Sequence, residues 1–186
     1  MPKEGALAQV IILNGGSSSG KSSVATSLQD ILATPWLRLG VDEFIETLPP
    51  RLLTDDSGIT FGDDGSVRPG PEFRRLEAAW MRGVAAMAHA GAHIIIEEVF
   101  VGGVESRNRW QVALTGLDVF WVGVHCDPAV AAERERARGD RVSGMAETQA
   151  LAVHIGAAYD LEVDTSAISP RACAQLIAQA AGLIDA

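Results

Sequence analysis

Lysine, cysteine and long apolar runs are all scarce in this sequence of 186 residues. The lysines are Lys3 and Lys21, so the chain lacks the Asn/Thr-Lys-x-Asp signature that reads guanine, which argues against a GTP-dependent switch. Cys126 and Cys173 match no metal-binding or redox spacing. The apolar run that ends at Leu13 is too short for a signal peptide or a membrane span. We therefore expect a cytoplasmic protein without a membrane partner.

Positive charge is also in short supply. The chain carries 15 Lys and Arg against 24 Asp and Glu, a formal net charge of −9. A surface with this balance repels a phosphate backbone, so nucleic acid is not an expected partner. The length and the 47 % hydrophobic content predict one domain over residues 1–186, and they leave a homo-oligomer open.

Short apolar runs alternate with stretches of helical periodicity along the chain. The runs that predict strands are residues 8–14, 36–41, 93–99, 118–126 and 161–163. This alternation is typical of βαβ units, and it predicts an α/β fold with a doubly wound, parallel, five-stranded sheet and helices on both faces. Residues 49–71 have no stable period and predict a long surface excursion.

The strongest functional signal is GGSSSGKS at residues 15–22, which fits the phosphate-loop pattern GxxxxGK followed by Ser or Thr. It lies between a predicted strand and a predicted helix, where backbone N–H groups can surround a β-phosphate. Lys21 is predicted to reach the β- and γ-phosphates of ATP, and Ser22 to ligate Mg²⁺. The predicted nucleotide-binding residues of this segment are Gly15, Gly16, Ser17, Ser18, Ser19, Gly20, Lys21, Ser22 and Ser23.

Acidic residues end two of the predicted strands, at the sheet edge where α/β proteins bind ligands. Asp42 fits either a general base for an acceptor hydroxyl or the N-cap of a short helix after it, and the sequence leaves both open. Glu97 and Glu98 end a buried run. Because side chains alternate along a strand, one of these two is expected to serve Mg²⁺ through water, without indication of which.

Arginine is concentrated at one place, where Arg134, Arg136, Arg138 and Arg141 lie within eight positions. Spacings of four and three put Arg134, Arg138 and Arg141 near one helical face, which predicts an arginine-rich lid that closes over phosphates. The alternative is a solvated helix face on which these arginines pair with neighbouring acids.

Taken together, these segments resemble the chloramphenicol phosphotransferase family of P-loop kinases along almost the whole chain. The resemblance rests on IILNGGSSSGKS (11–22), PWLRLGVD (35–42), GPEFRRLEAAW (70–80), IIIEEVFVGG (94–103), WVGVHCD (121–127) and ERARGDRVSGMA (135–146). It implies a single P-loop kinase domain that uses ATP and Mg²⁺ to phosphorylate the primary 3-hydroxyl of chloramphenicol, an antibiotic-inactivating reaction.

The resemblance also implies residue roles. The catalytic residues would be Lys21, Asp42 as the base, and Arg138 and Arg141 on a lid at about residues 128–146. Arg134 and Thr165 would contact the nucleotide, and an excursion at about residues 43–70 would shape the acceptor site. The acceptor-binding residues would be Asp42, Phe44, Val99, Phe100 and Val101.

The chain departs from the family at Glu97-Glu98, where the family has an Asp-Asp pair, and in the excursion at residues 49–68. The acidic and apolar segment 43–48 favours a neutral aromatic acceptor, although Arg51, Arg74 and Arg75 could anchor an anionic one. Two alternatives remain: a kinase for another hydroxylated metabolite of the shikimate, gluconate or nucleotide type, and a noncatalytic ATP-binding module.

Overall fold

Five parallel strands form the central sheet of the computed structural model, which describes residues 7–62, 66–138 and 145–185. The sheet strands are β1 (Val10–Asn14), β2 (Trp36–Gly40), β5 (His93–Glu98), β6 (Val119–His125) and β7 (Leu161–Asp164). Their order across the sheet is β2-β5-β1-β6-β7. The prediction of a five-stranded, parallel α/β fold is confirmed.

Seven α-helices are described around the sheet. They are α1 (Lys21–Ile31), α2 (Val41–Glu46), α3 (Pro71–His89), α4 (Val104–Ala113), α5 (Pro128–Arg138), α6 (Met145–Ala152) and α7 (Pro170–Ala180). Among the described residues, no helix is both long and apolar enough to span a lipid bilayer.

Alternation along the central strand β1 explains why helices cover both faces. Ile11 and Leu13 pack into a core with residues of α1 and α7. Val10 and Ile12 point the other way, into a core with residues of α3 and α4. A strand buried on both faces must be apolar throughout, as this run is. The arrangement brings the carboxyl ends of β1, β2 and β5 to one edge of the sheet.

The predicted excursion at about residues 43–70 is more regular than its sequence indicated. Helix α2, a 3₁₀ helix (Pro50–Leu53) and an antiparallel hairpin of β3 (Ile59–Phe61) and β4 (Val67–Pro69) account for much of it. The lack of a stable period in residues 49–71 therefore did not reveal these short elements. Strands of three residues are too short to show a period, and they are held by a small core whose buried members are Phe44, Leu48, Leu52, Ile59 and Phe73.

Candidate active site

The phosphate loop joins β1 to α1, and two of its positions require the backbone freedom of glycine. Gly20 has a φ of 86° and precedes α1 directly, so the helix begins at Lys21. A Cβ atom at Gly15 would lie 2.5 Å from the carbonyl oxygen of Val124. This distance is too short for any residue with a side chain, so the position requires glycine. The Lys21 ammonium donates hydrogen bonds to the carbonyl oxygens of Gly15 at 2.7 Å and Gly16 at 2.8 Å. These bonds place the cation against the loop that is expected to hold the phosphates.

Ser22 and Glu97 form the arrangement that suits a magnesium ion. The Ser22 hydroxyl donates a hydrogen bond of 2.6 Å to Oε2 of Glu97, whose other oxygen lies 3.4 Å from Nε of Arg38. A hydroxyl and a carboxylate beside a phosphate loop are hard oxygen donors of the kind that Mg²⁺ prefers. The residues present therefore fit the ion that the sequence implied.

The second carboxylate of this strand faces away from the phosphate loop. Oε1 of Glu98 accepts a hydrogen bond of 2.9 Å from Nε1 of Trp110 on α4. Burial raises the pKa of Glu98 to about 7, opposed in part by the Trp110 bond. The alternation that left the two glutamates equivalent in the sequence thus separates them, with Glu97 beside Ser22 and Glu98 beneath α4.

Asp42 lies in the first turn of α2 and lines the same cavity as the phosphate loop, a space of about 460 Å³. Strand β2 ends at Gly40, which is itself the N-cap residue of α2. The alternative that Asp42 serves as the N-cap is therefore wrong, because that position belongs to Gly40. The carboxylate is instead one of the groups that face the cavity between the loop and the hairpin.

We call the part of the cavity formed by the hairpin, α3 and α4 the acceptor half. Its walls are mostly apolar near the hairpin, and they become charged where α3 and α4 meet. The apolar lining includes Ile59, Phe61, Val67, Phe73, Val99 and Val101. Val99 and Val101 line this cavity, and their contact with an acceptor stays a prediction.

Phe44 and Phe100 were expected to contact the acceptor, and the structure contradicts both expectations. Phe100 is completely buried in the core beneath α3 and α4, where its ring centroid lies 6.4 Å from that of Trp121. Phe44 is 5 % exposed and packs between Phe73 and Trp80. Both rings fill a core, so neither belongs to the cavity lining.

The charged end of the acceptor half centres on Glu77, which sequence reasoning missed. Glu77 is 5 % exposed, and it pairs with Arg74 at 2.8 Å and with Arg109 at 3.4 Å. The signal that could have found it is its place on α3, since position 77 shares the buried face of that helix with Phe73 and Met81. A carboxylate on such a face needs a partner, and the two arginines supply it.

Three of the predicted nucleotide-binding residues come together on the other side of the loop. Arg134 of α5 donates hydrogen bonds to Oγ1 of Thr165 at 3.1 Å and to its carbonyl oxygen at 2.9 Å. The Thr165 hydroxyl in turn donates to the carbonyl oxygen of Ser19 at 2.6 Å. We call the phosphate loop, Arg134 and Thr165 the donor half. The side chain of Arg138 and the whole of Arg141 lie outside the described residues.

A phosphate loop on a parallel sheet of this strand order, with a carboxylate among the residues that line the adjoining cavity, is typical of a P-loop kinase. Residues 8–182 match the family described as chloramphenicol phosphotransferase-like protein, and the chain belongs to this family of small-molecule O-phosphotransferases. The family implies ATP as the phosphoryl donor and a small molecule as the acceptor.

Relatives and solved structures agree with this assignment. A Mycobacterium tuberculosis protein named "Putative O-phosphotransferase" is 35 % identical over 177 residues, which is 86 % of this chain and 76 % of the relative. The tunicamycin resistance protein of Deinococcus radiodurans has a TM-score of 0.68 at 20 % identity, covering 95 % and 97 % of the two chains. Shikimate kinase from Acinetobacter baumannii has a TM-score of 0.58 at 15 % identity, covering 92 % of each chain. At these identities the two structures show the shared fold.

Proposed function

We propose that this protein transfers the γ-phosphoryl group of ATP, with Mg²⁺, to the primary 3-hydroxyl of chloramphenicol or a close analogue. The observation that carries the proposal is that Asp42, Lys21 and apolar residues of the hairpin line one cavity. An amphipathic alcohol bound there has its hydroxyl near Asp42 and its apolar part against the hairpin.

In this mechanism each group of the donor half has a separate task. The loop N–H groups and Lys21 hold the phosphates and stabilise the charge that develops on the transferred group. Ser22 and Glu97 would hold Mg²⁺, which would supply positive charge to neutralise the phosphates. Arg134 and Thr165 fix the nucleotide side of the loop through the bonds described above. On the lid, Arg138 and Arg141 are proposed to close over the phosphates.

Asp42 acts on the acceptor. Its carboxylate orients the acceptor hydroxyl and takes up the proton as the oxygen–phosphorus bond forms and the bond between the γ-phosphorus and the bridging oxygen breaks, releasing ADP. Because the phosphoryl-transfer transition state is loose, proton removal comes late and orientation is much of the task.

The charges of the cavity favour an acceptor without negative charge. Among the described residues, six carboxylates line it: Asp42, Glu43, Glu46, Glu77, Glu97 and Glu98. The arginines that line it, Arg74 and Arg109, both contact Glu77. An anion at this end would have to compete with Glu77 for them, which a neutral acceptor avoids. This supports chloramphenicol over acceptors of the shikimate or gluconate type.

The test is transfer to a matched set of acceptors. The protein is incubated with ATP, Mg²⁺ and either chloramphenicol, shikimate or gluconate, and each acceptor is analysed by mass spectrometry for one added phosphoryl group. We expect phosphorylated chloramphenicol, with fragmentation locating the group on the 3-hydroxyl, and none with Lys21→Ala. Phosphorylation of shikimate or gluconate alone would overturn the acceptor assignment. ATP binding without transfer to any acceptor would support a noncatalytic module.

A further inference from the structure

Helix α6 rests directly on the phosphate loop, through a residue to which the mechanism above gives no role. Oε1 of Gln149 accepts a hydrogen bond of 2.9 Å from the backbone N–H of Ser17, and Gln149 is 6 % exposed. A Cβ atom at Gly16 would lie 3.0 Å from the backbone carbon of Gln149 and 3.1 Å from the nitrogen of Ala150. The loop and the helix are therefore in contact through backbone as well as side chain.

Both ends of α6 are anchored to other parts of the fold. At its start, Oε1 of Glu135 on α5 accepts a hydrogen bond of 2.8 Å from the N–H of Ala146. Just past its end, Nδ2 of Asn14 on β1 donates a hydrogen bond of 3.0 Å to the carbonyl oxygen of Val153. A helix held at both ends presents Gln149 to the loop in a fixed position.

The loop has a conformation that needs such support. Ser18, which follows Ser17, has a φ of 57°. Among the described residues it is the only one other than glycine with a positive φ. The left-handed conformation costs a residue with a side chain roughly 1–2 kcal/mol, and it persists where neighbouring contacts enforce it. Those contacts flank Ser18 here: Gln149 holds Ser17 on one side, and Thr165 bonds to the carbonyl oxygen of Ser19 on the other.

The chemistry of the amide suits this place. A buried N–H without an acceptor costs about 1–3 kcal/mol, so Ser17 requires one. A carboxylate would accept the same bond but would add negative charge beside the phosphates, whereas the glutamine oxygen is neutral. Gln149 thus satisfies the loop without repelling its ligand.

We propose that Gln149 is a positioning residue for the nucleotide, which holds Ser17 and the strained Ser18 so that the loop is preorganised for the phosphates of ATP. The inference rests on the proposed function only in that ATP binds this loop. It requires neither an acceptor nor transfer, so it can be tested by binding alone.

The experiment is a titration of each variant with ATP and Mg²⁺ by calorimetry without acceptor, together with its melting temperature. We expect Gln149→Ala to weaken ATP binding about 10-fold. Gln149→Glu keeps the bond to Ser17 and hence the fold, but its charge should weaken ATP binding by about 10-fold or more. Glu147→Gln, an exposed change on the same helix, is the matched control and should bind ATP within twofold of wild type.

A suppressor distinguishes positioning from mere packing. Ser18→Gly removes the penalty of the left-handed conformation, so Ser18→Gly in the Gln149→Ala background should recover most of the lost ATP affinity. A Gln149→Ala protein that melts earlier but binds ATP within twofold of wild type would overturn the proposal. Where the alanine variant does not fold, Gln149→Met, which keeps the length of the side chain but offers no oxygen to the Ser17 N–H, is titrated instead, and ATP affinity within twofold of wild type would likewise overturn the proposal.

The same titration separates this proposal from the proposed function. A wild-type protein that fails to bind ATP overturns both. A wild-type protein that binds ATP but phosphorylates no acceptor overturns the proposed transfer alone, and the Gln149 variants are then still read from their affinities.

Discussion

The donor and acceptor halves of the candidate site are built in different ways. The donor half is mainly one contiguous segment, residues 15–23, whose backbone is expected to bind the phosphates. The acceptor half is assembled from side chains of the hairpin, α3, α4 and the end of β5, which are far apart in the sequence. Function that resides in a local backbone shape can be recognised from a short motif. Function that resides in assembled side chains depends on the fold.

The first way to test this contrast is to remove the charge of the donor half. Lys21→Ala should lower transfer by about 10³-fold or more, because the ammonium stabilises charge on the transferred group and the other lysine of the chain, Lys3, lies outside the loop. Turnover is measured at saturating ATP and acceptor. Arg171→Ala, an exposed basic residue on α7, is the control and should keep wild-type turnover. Turnover of Lys21→Ala within tenfold of wild type would refute the phosphate-loop mechanism.

A smaller effect is expected where the two halves meet. Asp42→Asn should lower kcat by about 10²-fold, the low end for a positioned general base, because the amide still orients a hydroxyl but cannot take its proton. ATP affinity and melting temperature should not change, since Gly40 rather than Asp42 occupies the N-cap. The exposed change Asp30→Asn on α1 is the control. A kcat within threefold of wild type would show that Asp42 is not the base.

The two glutamates at the end of β5 sharpen the comparison further, because Glu97 bonds to Ser22 of the phosphate loop whereas Glu98 bonds to Trp110 of α4. Glu97→Gln should raise the Mg²⁺ concentration for half-maximal turnover by roughly 10-fold, since Glu97 bonds to Ser22 beside the phosphates. Glu98→Gln, which keeps a polar group for Trp110, should leave this Mg²⁺ dependence unchanged. The measurement is turnover against Mg²⁺ at fixed ATP. Equal shifts for the two variants would contradict their separation.

How far the sequence predicts each half follows from the same contrast. The five-stranded sheet, the parallel direction of its strands and the loop with Lys21 were predictable, because buried apolar runs and a contiguous motif mark them in the sequence. The acceptor half was not, since Phe44 and Phe100 were placed in the pocket when both are core residues. The sequence pattern around a single aromatic residue is the same whether its ring faces the cavity or packs into the core. Glu77 meets Arg109 only when α3 packs against α4, and Gln149 meets Ser17 only when α6 packs against the phosphate loop.

The smallest predicted effect concerns a hydrogen-bond network of His154, Tyr159 and Asn14. Nδ1 of His154 lies 2.8 Å from the Tyr159 hydroxyl, and Nδ2 of Asn14 donates a hydrogen bond of 2.6 Å to the same hydroxyl. Burial, followed by the nearby His125, lowers the pKa of His154 to about 4. A histidine whose pKa is lower in the folded state stabilises the protein above its unfolded pKa, near 6.5, and this contribution is lost as pH falls toward 4.

His154→Gln keeps a polar partner for Tyr159 but cannot be protonated, so its melting temperature should fall less between pH 7 and pH 5 than that of the wild type. Because His154 is only half-buried and solvent screens its charge, we expect the two falls to differ by about 3 °C rather than by the larger value of a fully buried group. Thermal melts at both pH values provide the measurement. His89→Gln, an exposed change at the end of α3, should show the wild-type fall. Equal falls for His154→Gln and wild type would mean that protonation of His154 does not oppose folding, and that the bond between Asn14 and Tyr159 tolerates charge beside it.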